Sequence, residues 1–143
     1  MIFVDSIRRP LYIHDWSFSR KLNAKKINEI ITKFARRHHV RVISAANVGN
    51  HLHLHIQLLK RMTYKAFIRA ITSAIAMAIT GVSRWSKRTN KIKFWDYRPF
   101  TRVIRGFRAL LTVRDYIAIN QLEGVGVGRV EARFIVASRQ GSG

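Results

Sequence analysis

The 143 residues contain no cysteine, which excludes disulfides, thiolate zinc sites and cysteine nucleophiles. Any metal site must therefore be built from nitrogen and oxygen ligands. Acidic residues are scarce as well: Asp5, Asp15, Glu29, Asp96, Asp115, Glu123 and Glu131 are scattered along the chain. They form no cluster that could hold a pair of metals in a carboxylate nuclease or a carboxylate-triad transposase. No serine sits in a nucleophile elbow, so hydrolase chemistry lacks a motif. Long apolar runs are missing too. The most apolar stretch, Ala70 to Val82, is interrupted by Thr72, Ser73 and Thr80 and is too short to span a bilayer. Asp5, Arg8 and Arg9 break any early apolar run, so no cleavable signal opens the chain. These absences predict a soluble intracellular protein with no membrane partner.

What the chain has in excess is positive charge. Lys and Arg number 27 against seven acids, a formal net charge of +20. Self-repulsion of that size is best understood if the partner is an acidic polymer, and nucleic acid leads. Hydrophobic residues make up 48% of the sequence, so the charge does not prevent a packed core. The length suits one domain that buries roughly two thirds of its unfolded surface.

Pro10 to Phe18 alternates Leu11, Ile13 and Asp15 against Tyr12, His14 and Trp16 and reads as a first strand. Asn23 is positioned to cap a helix from Ala24 to about His38, with Ile27, Ile30, Ile31, Phe34 and Ala35 on its apolar stripe. Two strands follow, Val40 to Ala46 and His51 to Leu59, joined by a turn at Asn47-Val48-Gly49-Asn50. Thr63 opens a second helix that Gly81 stops, with Phe67, Ile71, Ala74, Ile75, Ala78 and Ile79 facing inward. Arg98 to Ile104 reads as a fourth strand and Phe107 to Leu122 as a third helix. The order β, α, β, β, α, β, α predicts an α+β, ferredoxin-like (split βαβ) antiparallel sheet with helices on one face and an added C-terminal helix bearing Tyr116. Residues 1–122 form the expected domain. Residues 123–143 read as a Gly-rich tail with one short strand at about 131–137; its alternating glycines lack the strand-turn-helix context of a phosphate loop. No internal repeat is visible.

The segment Asn50-His51-Leu52-His53-Leu54-His55-Ile56 carries three histidines at alternate positions. On a strand they stand in one row while Leu52, Leu54 and Ile56 enter the core. Two neutral imidazoles on such a row can share one divalent cation. Tyr116 and Asn120 lie four apart on the third helix, one turn from each other on the same face. Asn supplies a neutral oxygen ligand, and a tyrosine hydroxyl becomes a nucleophile where positive charge eases loss of its proton. Taken alone, a His-x-His row is more often an ordinary solvent face and a Tyr-x-x-x-Asn pair more often a core feature. Together they point to metal-assisted chemistry on DNA.

In this ordered set the chain resembles the single-tyrosine HUH transposases, especially the REP-associated tyrosine transposases. Asn50-His51-Leu52-His53-Leu54 resembles the family's histidine motif, Phe94-Trp95-Asp96-Tyr97-Arg98-Pro99-Phe100 through Val103 its segment before the last helix, and Tyr116-Ile117-Ala118-Ile119-Asn120 its nucleophile motif. The resemblance spans roughly residues 10 to 122. It implies a cytoplasmic enzyme at the prokaryotic nucleoid that cuts and joins single-stranded DNA beside a hairpin, with Tyr116 forming a 5′-phosphotyrosine link. It further implies that His51, His53 and Asn120 hold Mg²⁺ or Mn²⁺, with Gln121 the alternative helix ligand. His55 replaces an apolar residue of the pattern, and a third ligand, a DNA contact and a bystander all stay open for it. Monomer and homodimer both occur in such enzymes.

Between Arg84 and Arg114 there are ten Lys and Arg and the single acid Asp96, interleaved with Trp85, Phe94, Trp95, Tyr97, Phe100 and Phe107. About half of these aromatics are expected in the core. Arg84, Lys87, Arg88, Lys91, Lys93, Arg98, Arg102 and Arg105 are the expected DNA contacts, since unpaired charge is rarely buried. The competing reading is a non-catalytic RNA- or DNA-binding module, because a ferredoxin-like sheet with a basic face binds nucleic acid without chemistry. A basic membrane-surface protein is disfavoured by the core-like faces of both long helices.

Overall fold

The structure is a computed structural model that describes the backbone of residues 2–8 and, in full, residues 16–82, 94–95 and 98–141. Four strands form one antiparallel sheet: β1 (Ile2–Arg8), β2 (Val40–Asn47), β3 (His51–Leu58) and β4 (Phe100–Ile104). Helix α1 (Lys21–Arg37) links β1 to β2, and α2 (Tyr64–Thr80) links β3 to β4. Helices α3 (Phe107–Gly124) and α4 (Arg129–Gln140) close the chain. The sheet order is β2-β3-β1-β4, so each crossover skips one strand, as the split βαβ pattern requires.

Packing follows the two periodicities. From β3, Leu52, Leu54, Ile56 and Leu58 turn to one face and meet Ile27, Ile31 and Ala35 of α1 and Phe67, Ile71 and Ile75 of α2. Phe18 and Phe94 belong to the same cluster, their rings 6.2 Å apart, and Trp95 Nε1 donates to the Thr72 carbonyl at 3.0 Å. The stretch Arg61–Thr80 has the length and mean hydropathy, 1.2, to cross a bilayer by composition. Its Phe67, Ile71 and Ile75 are nonetheless wholly buried against the sheet. Helix α2 ends as its sequence foretells, with Gly81 at φ 69° accepting the left-handed cap.

Four local expectations need correction. The sheet takes its first strand from Ile2–Arg8, which the sequence reading did not place; of the expected strand Pro10 to Phe18, residues 10–15 fall outside the described residues and residues 16–18 are not strand. Asn23 does not cap α1 but lies inside it, buried, where its Nδ2 donates to the Ser17 carbonyl at 2.8 Å and ties the preceding turn to the helix. Thr63 precedes α2, yet its hydroxyl donates to the Lys60 carbonyl instead of capping. Residues 131–137 are not a strand but part of α4, because Ala132 and Val136, one helical turn apart, are buried while α4 packs along α3.

Candidate active site

The polar face of β3 carries the site. His51 is half-buried and His53 and His55 are buried, 3% and 2% exposed. The face is closed because α3 crosses it, packing on β2 and β3. Ile117 is buried at the centre of that contact, and Gln121 Nε2 donates to the Ala45 carbonyl of β2 at 2.8 Å. Gly124 completes the seating. A Cβ there would overlap the carbonyl oxygen of Asn47, so only glycine lets the end of α3 come this close to the β2–β3 turn. Asn47 in turn donates from Nδ2 to the Phe18 carbonyl at 2.7 Å and accepts from the Gly49 N–H at 3.1 Å. Gly49 itself has φ 84°, inside the turn that the Val48 N–H closes by donating to the His51 carbonyl at 3.1 Å.

This seating brings together residues that lie far apart in sequence. The rings of His51 and His53 meet edge to face at 4.7 Å, and those of His53 and Tyr116 at 5.1 Å. Tyr116 keeps 41% of its surface exposed while one edge contact joins its ring to His53. Asn120 is buried, its Nδ2 donating to the Tyr116 carbonyl at 2.7 Å. That bond commits the amide nitrogen to the helix and leaves oxygen as the end of Asn120 that can act as a ligand. His51 Nδ1 pairs with Asn50 Oδ1 at 2.7 Å. With the amide oxygen as acceptor, Nδ1 carries the proton and the lone pair lies on Nε2, the tautomer that binds metal. Among the described residues no three His, Cys, Asp or Glu side chains converge on one point. An ion here would draw on the two imidazoles and neutral oxygens, a donor set suited to a hard, weakly held divalent cation.

His55 stands apart from this group. Both its ring nitrogens and the hydroxyl oxygen of Ser44, its neighbour across the β2–β3 pair, are buried without a hydrogen-bond partner among the described residues. Desolvation pushes the imidazole pKa below its ordinary 6.5. Burial also keeps it from touching DNA directly in this conformation.

The sequence profile of the family described as "Transposase IS200 like" matches residues 8–120. The chain belongs to the IS200-like transposase family. Among solved structures, that of a REP-associated tyrosine transposase bound to a REP hairpin superposes with a TM-score of 0.68. It is 15% identical and the match covers 88% of this chain and 69% of that one, which speaks for the fold. No curated protein matches the chain. The family and the fold agree with the resemblance to tyrosine transposases of the HUH superfamily, and the transposase is a DNA-processing protein.

Of the expected DNA contacts in this transposase, Arg98, Arg102 and Arg105 are exposed, while Arg84, Lys87, Arg88, Lys91 and Lys93 fall outside the described residues. Sequence reasoning missed Asn50 as the partner of His51 and Gly124 as the seat of α3. A polar residue directly before the first histidine was a readable signal for Asn50. It also missed the docking of α4 on the tyrosine helix, where Gln140 Nε2 donates to Asp115 Oδ2 at 2.6 Å beside Tyr116. The Ala132 and Val136 spacing was the signal for that helix.

Proposed function

We propose that this transposase nicks and rejoins single-stranded DNA, beside a hairpin, through a 5′-phosphotyrosine intermediate on Tyr116. The observation that supports this most is the contact of Tyr116 with His53 within one chain. The Tyr116 oxygen attacks the phosphorus, the bond from phosphorus to the 3′ oxygen breaks, and the proton lost by the phenol is balanced by the one gained at the released 3′ hydroxyl. Rejoining reverses the step with a second 3′ hydroxyl, so no external energy source is needed. His51, His53 and the Asn120 oxygen would hold Mg²⁺ or Mn²⁺, with the Gln121 amide nitrogen engaged on β2. The ion supplies Lewis-acid polarisation of the phosphoryl oxygen. Asn50 holds the His51 tautomer, and Asn120 reports the helix position to the nucleophile through its bond to the Tyr116 carbonyl. Because α3 returns to its own sheet, one chain carries every named group.

The DNA is expected to be single-stranded because exposed aromatics on a basic surface suit unpaired bases, and the structural neighbour was solved with a hairpin. The test is incubation with hairpin DNA and Mn²⁺ followed by denaturing electrophoresis. A protein–DNA adduct should form with the natural chain and vanish with Tyr116→Phe or EDTA. An adduct that persists in Tyr116→Phe sinks the reading. Salt-sensitive binding indifferent to EDTA and to His51→Ala, with no adduct under any condition, would instead identify a non-catalytic binding module.

A further inference from the structure

Strand β4 is an edge of the sheet, and its side chains alternate between the two layers. The Thr101 hydroxyl pairs with the Tyr64 hydroxyl of α2, so Thr101 faces the helical layer. Its neighbours Phe100 and Arg102 therefore project from the opposite face, the one that carries the histidines. The register agrees. Phe100 pairs with Ser6 and Ser6 with His53, while Arg102 pairs with Val4 and Val4 with His55. Directly opposed residues of antiparallel strands share a face. Phe100 thus lies in the cross-strand row of His53, two strand spacings away, or roughly 10 Å.

Phe100 is 71% exposed, and Arg98 and Arg102 beside it are exposed as well. By contrast Ile104, two residues beyond Arg102 on the same face, is buried. On the histidine face of β4, the apolar side chain left open is the one that shares a row with His53. An open phenyl ring flanked in sequence by two exposed arginines suits one ligand chemistry in particular, a strand whose bases are unpaired: the ring offers a stacking face to any base, and the cations follow the phosphates. A stacked strand rises about 3.4 Å per nucleotide, so the ring lies within about three nucleotides of a phosphate held at His53.

We propose that Phe100 is a stacking platform for one unpaired base of the DNA near the phosphodiester presented to Tyr116, with Arg102 on an adjoining phosphate. The proposal rests on the reading of the histidine face as the site that receives single-stranded DNA, but not on cleavage. It makes Phe100 a positioning residue that sets which phosphodiester arrives at the nucleophile.

The test uses the full chain carrying Tyr116→Phe in EDTA, so that binding is measured without chemistry. The probes are an oligothymidylate of about 20 nucleotides and an abasic strand of equal length, a length sufficient for a stacking groove. Fluorescence anisotropy should show Phe100→Leu weakening oligothymidylate binding by roughly five- to 150-fold. Phe100→Trp should restore it, and the abasic strand should bind the natural residue and Phe100→Leu alike. Arg102→Ala should weaken both probes and lower the salt slope by about one. Equal loss on both probes with Phe100→Leu, or no loss on oligothymidylate, overturns the proposal. Should Tyr116 prove not to be the nucleophile in the adduct assay, the base-dependent loss at Phe100 would still stand, so the two failures are separable. Because Phe100 is exposed, its variants should keep the natural melting temperature, which circular dichroism verifies.

Discussion

Replacing Gly124 by alanine adds a single methyl group at the point where the tyrosine helix meets the β2–β3 turn. The new Cβ would overlap the Asn47 carbonyl oxygen and come within 3.3 Å of the Asn47 carbonyl carbon and 4.0 Å of the Val48 Cα. These are backbone atoms, and Asn47 is further held by its side-chain bonds to Phe18 and Gly49. The turn cannot easily give way. Overpacking of this kind costs about 1–3 kcal/mol. Alanine is at most about 1 kcal/mol better than glycine inside a helix, and this is the last helical residue. We expect a net loss of about 1–2 kcal/mol, which lowers the melting temperature of a domain of this size by roughly 2–8 °C. Gly128→Ala is the control, because nothing lies within 4 Å of its added Cβ and it should melt like the natural chain. Thermal unfolding by circular dichroism reads both. The eight residues from Tyr116 to Gly124 span about 12 Å of helix, so a displaced end swings the phenol and adduct formation should fall further than stability alone implies. If Gly124→Ala melts at or above the natural temperature and forms adduct at the natural rate, α3 is not seated by this contact and the reasoning fails.

Asn50→Ala removes the acceptor that orients His51 and should weaken Mn²⁺ binding by about 10–100-fold without unfolding the protein; isothermal titration calorimetry decides, and unchanged affinity would discard the orienting role. His55→Leu replaces a buried ring with no hydrogen-bond partner among the described residues by an apolar side chain, and should stabilise the metal-free protein by about 1–3 kcal/mol in chemical denaturation. The same variant has a pH signature. Because the folded pKa of His55 lies below 6.5, the unfolded chain binds more protons once pH falls beneath that value, so natural stability is full above 6.5 and declines below it. His55→Leu should remove part of that decline, and an identical pH profile for the two proteins would contradict the buried neutral imidazole.

The readable parts of this molecule are those that local periodicity controls. Leu52, Leu54 and Ile56 alternate with the histidines, and both faces of β3 came out as the alternation demands. The stripes through Ile27 and Ile31 and through Phe67, Ile71 and Ile75 marked α1 and α2 for the same reason. Strand β1 was harder, since Asp5 and Ser6 interrupt the apolar character of Ile2–Arg8 while the stretch from Leu11 to Trp16 alternates more visibly. Tertiary docking decided α4, whose β-branched residues and preceding glycines favour a strand and linker until Ala132 and Val136 find α3. The candidate residues Tyr116, Asn120, His51 and His53 could be named from their types and spacing. The approach of Tyr116 to His53 could not, because it depends on Gly124 meeting Asn47 across a gap in sequence that no local pattern spans.

The position of β1 has a consequence for how the protein comes into being. Ile2 pairs with Gln57 on one side and with Ile104 on the other, so the first strand made is the last to be fully framed. Pairings this distant close slowly, as folds of high contact order do. During synthesis the histidine strand is complete well before the helix that brings Tyr116, and that helix can dock only after Gly124 has been added. A nascent chain therefore passes through a long interval in which it is already strongly basic but has not yet brought Tyr116 onto His53. Attraction to an acidic polymer can precede assembly of the face that joins Tyr116 to the histidines, and what separates the two is the closing of the polypeptide on itself.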